Sequence, residues 1–159
     1  MEFLWLKWLH ILSATVLFGT GLGIAFFKWS TDRSGDVRAI AAVMRRVVLA
    51  DWLFTTTTVI VQPLTGVWLA LLAGYPLTSG WVAWSLLLYV LAGLCWVPVV
   101  WLQLRMRDMA VQAAAECGAL PARYHRSARI WFALGIPAFA ALIVVFCLMV
   151  FRPAAGGFR

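Results

Sequence analysis

Residues 5–27 read WLKWLHILSATVLFGTGLGIAFF, an apolar run that carries one lysine, Lys7, and one histidine, His10. At about 1.5 Å of rise per helical residue, this run crosses the roughly 30 Å hydrocarbon core of a bilayer. Ionisable groups in hydrocarbon are costly and need a partner, so the position of His10 alone makes it a candidate functional residue. Three further stretches meet the same length rule. The spans fall at about 4–27, 49–74, 81–104 and 130–151. They predict an all-α integral membrane four-helix bundle, formed as a single domain over 1–159.

Composition agrees. Of 159 residues, 64% are hydrophobic and only 12% charged, far from the balance of a soluble domain. The net charge of +7 does not point to nucleic acid, because the basic residues cluster beside apolar segments, where topology and anionic headgroups account for them. Ten tryptophans fit an aromatic belt at the bilayer surface. The three cysteines, Cys95, Cys117 and Cys147, have no metal-type spacing and read as packing or loop thiols. Met1-Glu2 lacks the positive region of a signal peptide, so the first helix is expected to stay in the mature protein.

Charge sets the expected orientation. Lys28, Arg33, Arg38, Arg45, Arg46, Arg105, Arg107, Arg123, Arg126 and Arg129 fall on one side, and Lys7, Arg152 and Arg159 on the other. The positive-inside rule then places both termini on the outer, periplasmic side of a bacterial inner membrane. His10 lies in the outer leaflet, and His125 lies among arginines on the opposite side. Residues 75–80 form a tight uncharged hairpin turn. The two charged connections hold helix-like stretches that extend the membrane helices or lie on the surface. The tail after Arg152, PAAGGFR, reads as a flexible end.

Helical spacing sorts the polar residues by face. Lys7, His10, Ala14, Leu17 and Gly21 share one face of the first helix, and Gly19 and Gly23 form a GxxxG that permits close helix approach. The second helix carries a stripe of Asp51, Thr55, Thr58, Gln62 and Thr65, expected to face the bundle interior. Asp51 is expected within reach of Arg45 or Arg46. Gln62 is expected to bond a neighbouring helix, the threonines their own helix, and Pro63 to free a backbone carbonyl. Tyr89 on the third helix lies near the depth of His10. The fourth helix, without a charged interior residue, reads as a packing wall, which leaves the polar interior to the first three.

No paired carboxylate, nucleophile–base arrangement or phosphate loop is present in the spans. A lone membrane histidine among aromatic and small residues can ligate haem iron, relay protons, or bond helices together, and from the residues alone the structural role leads.

The segment Trp5-Leu6-Lys7-Trp8-Leu9-His10-Ile11 resembles the first helix of a group of small bacterial haem membrane proteins. That group includes HemJ-type protoporphyrinogen oxidases and copper-resistance D-like domains. The resemblance implies b-type haem bound at His10, with Lys7 matching the lysine that precedes the family histidine. It departs at Ala25-Phe26-Phe27-Lys28-Trp29-Ser30, where the oxidases carry a Leu-Pro-Arg and a further histidine, so it does not extend to oxidase activity. Lys7, Tyr89 or a second protomer's residue is left as the sixth ligand, or the iron is five-coordinate.

Over its whole length the chain resembles a bacterial family of predicted integral membrane proteins, domain of unknown function 2269. The matching stretches are Asp51-Trp52-Leu53-Phe54-Thr55, Gln62-Pro63-Leu64-Thr65-Gly66, Cys95 to Gln103, Trp131 and Pro137-Ala138-Phe139. The expected function is haem b binding through His10 for electron transfer, sensing or tetrapyrrole handling, with the bilayer, a second copy or a membrane redox partner as partners. The alternative is a non-catalytic bundle, a complex subunit or a small-solute channel built on the polar stripe.

Overall fold

A computed structural model describes residues 1–78 and 80–152. The proposed flexible tail from 153, and Ser79 in the expected hairpin turn, lie outside the described residues. Every regular element among those described is helical: α1 (Glu2–Ser34), α2 (Val37–Ala50), α3 (Thr56–Leu72), α4 (Gly80–Ala115) and α5 (Ala122–Phe151). A π-helical turn, Asp51–Thr55, joins α2 to α3 without a break. The chain therefore makes four rods, each long and apolar enough to cross a membrane.

The rods outrun the spans marked by hydropathy. With 33 residues, α1 is about 50 Å long, well over the bilayer core. Its extension past residue 27 and nearly all of α2 fall in a stretch whose charges break the apolar run. The first charged connection shrinks to Gly35-Asp36. Gly35 takes the left-handed conformation (φ 71°) that ends α1, and the Asp36 carboxylate accepts the amides of Arg38 and Ala39 to start α2.

Packing is uneven along the bundle. At the arginine-rich end Ile24, Ile40, Met44, Leu102, Met106 and Tyr124 form a solid core shared by α1, α2, α4 and α5. Toward the other end α1 stays against α3 and α4 against α5, while α3 and α4 barely touch. A cavity of about 720 Å³ opens between the two pairs. Its wall includes both Lys7 and Arg152, so the two described chain ends lie at the same end of the bundle.

The outer surface is apolar: Leu64, Leu94 and Ile136 are 65%, 67% and 70% exposed. Such a surface is solvated by lipid tails, not by water. Gly19 and Gly23 lie on that surface or the cavity wall and do not make the expected close helix contact, since a Cβ at either would meet nothing within 4 Å. The close approach is at Gly21, against the Phe139 ring.

Candidate functional site

The buried face of α1 runs Leu6, His10, Ser13, Ala14, Leu17, Ile24 and Lys28, at the three- and four-residue steps of a helix. His10 reaches across to α3. Its Nδ1 lies 2.8 Å from Thr65 Oγ1, and its Nε2 lies 3.2 Å from Gln62 Nε2. Thr65 Oγ1 also lies 2.8 Å from the Val61 carbonyl, one turn back on its own helix. A hydroxyl has a single proton, and a carbonyl can only accept, so the proton goes to Val61. Thr65 then accepts from His10 Nδ1–H, and the Nε2 lone pair accepts from the Gln62 amide. The ring is neutral, in its Nδ1–H form, and held at both nitrogens.

Two of the five stripe residues thus meet the histidine, and Gln62 bonds a neighbouring helix as expected. Thr58 donates to the Phe54 carbonyl of the π-helical turn. Tyr89 lines the large cavity with His10, but its hydroxyl donates to the Val59 carbonyl at 2.8 Å. That carbonyl would normally accept the amide of residue 63, which is proline and has none. Lys7 is exposed and lines the same cavity.

Asp51 is buried at the π-helical turn, but not beside arginine. Arg45 and Arg46 are exposed; five and six residues along a helix from Asp51, they point to another side of it. The Asp51 carboxylate instead accepts from Trp96 Nε1–H at 3.4 Å. The Gln103 amide satisfies both of its neighbours when its nitrogen faces Asp51 Oδ2 at 3.3 Å and its oxygen faces the Trp131 indole N–H at 3.3 Å. A second cavity of about 280 Å³ adjoins this cluster, and Leu17, Tyr89 and Leu142 line both cavities.

The fifth helix is more than a wall. Beyond Trp131 it supplies Tyr124, whose hydroxyl donates to Asp32 at 2.6 Å. Asp32 is ion-paired with Lys28, whose side chain is fully buried and whose ammonium lies over the rings of Tyr124, Trp131 and Phe132. Lys28 reads in sequence as one more positive charge flanking a span, and the only local hint of its burial is Asp32 one turn on. The polar tips of Trp131 and Tyr124 are hidden by residue types counted as apolar or interfacial.

Among the described residues no group of three or more His, Cys, Asp or Glu could hold a metal ion. His10 and His125 lie at opposite ends of the bundle, so only His10 enters the cavity. Its Nδ1–H bond to Thr65 is the kind of outer contact that orients a metal-bound imidazole. Its Nε2 lone pair becomes available once the Gln62 amide turns aside, and the Gln62 Oε1 atom has no partner holding it in place.

Comparison with known proteins gives one result. No curated protein and no solved structure matches the chain. The family described as predicted integral membrane protein (DUF2269) matches residues 4–153, nearly the whole length with all four rods, and the chain belongs to that family.

Proposed function

We propose that this membrane protein binds b-type haem through His10, in the large cavity at the end of the bundle that holds Lys7 and Arg152. The observation that carries this is the imidazole itself: pinned at Nδ1 by Thr65, it lines a cavity of about 720 Å³. That size is within the roughly 300–1,000 Å³ range of small-molecule and cofactor sites. The walls suit a tetrapyrrole. Phe18, Leu69, Leu86 and Phe146 provide apolar and aromatic faces, and Lys7 and Arg152 provide cations for its carboxylates.

When bound, haem supplies one-electron chemistry or gas-ligand binding, which suits electron transfer, sensing or tetrapyrrole handling. The protein's own contribution is to orient the His10 ring, yield the Nε2 position by moving Gln62, and exclude water with the apolar wall. The excess of arginine at the opposite end supports a periplasmic position for this cavity in a bacterial inner membrane, open to a membrane redox partner or a second copy. Titration of the detergent-purified protein with hemin tests the reading. A Soret band that saturates at one equivalent supports it, with binding about tenfold weaker in a Lys7→Gln, Arg152→Gln double variant.

A second reading is favoured by the way the two cavities meet at Leu17, Tyr89 and Leu142. The bundle then passes a small solute from one cavity to the other. Liposome flux that rises in Leu17→Ala, in protein that takes up no haem, supports it over haem binding.

A further inference from the structure

The smaller cavity is lined by one carboxylate and five aromatic side chains, a chemistry that haem at His10 does not use. We propose that it is a binding site for a small alkylammonium cation, held by Asp51 and the faces of the surrounding rings.

Asp51 is 4% exposed. Among the described residues no Lys, Arg or His nitrogen lies within 4 Å of it, and the Lys28 ammonium, which lies over two of the cavity's rings, is paired with Asp32. The donors that reach the carboxylate, the Trp96 indole and the Gln103 amide, are neutral. They serve the carboxyl group without supplying a counter-charge, and a carboxylate buried inside a membrane bundle calls for one.

The walls state which kind. Tyr89, Trp96, Trp131, Phe132 and Phe139 line the cavity. Trp131 and Phe132 already carry the Lys28 ammonium, which leaves Tyr89, Trp96 and Phe139. Aromatic faces attract cations, quaternary ammonium groups above all. A hard metal ion gathers six or more oxygens, waters included. Of this wall's oxygens, those of Tyr89 and Gln103 are engaged with Val59 and Trp131, which leaves the Asp51 carboxylate and the Thr55 hydroxyl. The π-helical turn Asp51–Thr55 brings these two groups to one face, and such turns recur at functional sites. At about 280 Å³ the cavity takes a tetraalkylammonium with short chains.

Calorimetric titration of the purified full-length protein with tetraethylammonium chloride, at constant ionic strength, tests this. Saturable binding at one site is expected, about tenfold or more weaker in Asp51→Asn. Gly93 also lines the cavity, and a Cβ there meets nothing within 4 Å, so Gly93→Leu fills the space without touching the carboxylate and should abolish binding. No saturable binding by the unaltered protein overturns the proposal, as does undiminished binding by a folded Gly93→Leu protein. The Gly93 variant keeps the test decisive if Asp51→Asn does not fold.

Discussion

Gly66 on α3 and His10 on α1 are fitted to each other: a Cβ at residue 66 would stand 3.1 Å from His10 Cε1. The ring is held at both nitrogens by residues of that same helix, so it has little freedom to retreat. Gly66→Ala is expected to destabilise the protein by about 1–3 kcal/mol. Unfolding in mixed micelles measures this, and most of the loss should vanish when Gly66→Ala is made in a His10→Ala background. Equal losses in both backgrounds contradict the contact.

Thr65 fixes the tautomer of His10. Thr65→Val keeps the shape but leaves a buried N–H without an acceptor, at a cost of about 1–3 kcal/mol. Thr65→Ser should restore most of it. In haem-loaded protein, Thr65→Val should also shift the reduction potential, since the outer hydrogen bond sets ligand basicity. Valine and serine variants of equal stability would show that the bond to Nδ1 is absent.

Tyr89 and Pro63 form a compensating pair through the Val59 carbonyl. Tyr89→Phe alone leaves that carbonyl without a partner and should cost about 1–2 kcal/mol. In a Pro63→Ala protein the amide of residue 63 can take the carbonyl, so the same Tyr89→Phe change should cost much less. A double-mutant cycle in denaturant reads this directly.

The Lys28–Asp32 pair should break asymmetrically. The Lys28 side chain is fully buried, whereas that of Asp32 is 21% exposed and also accepts from Tyr124. Asp32→Asn strands a buried ammonium and is expected to cost about 3–5 kcal/mol. Lys28→Met leaves a carboxylate that water and Tyr124 can serve, and should cost clearly less. Equal costs would mean that the ammonium reaches water by another route.

Much of this architecture is legible in the sequence. Hydropathy found the four rods because lipid imposes a length and a composition on each. The three- and four-residue spacing of Asp51, Thr55, Thr58, Gln62 and Thr65 marks the inward face of the second rod, and all five are buried. What stayed hidden depends on contacts between rods. Nothing local says that His10 meets Gln62 and Thr65, fifty-odd residues away, or that Trp96 and Gln103, not arginine, reach Asp51. Lys28 was obscured for a different reason: its burial needs Tyr124 and Trp131 from the last helix, so a charge flanking a span looks solvated in sequence. The Gly19–Gly23 pattern pointed to helix packing that the single chain does not make.

The most direct measurement of the central claim is the absorbance spectrum of detergent-purified protein, air-oxidised and dithionite-reduced, from cells given ample haem precursor. A stoichiometric Soret band with sharp reduced α and β bands is predicted for the unaltered protein and for His125→Ala, and its loss is predicted for folded His10→Ala. A well-folded preparation with no Soret band, or a band that survives His10→Ala and disappears in His125→Ala, contradicts it.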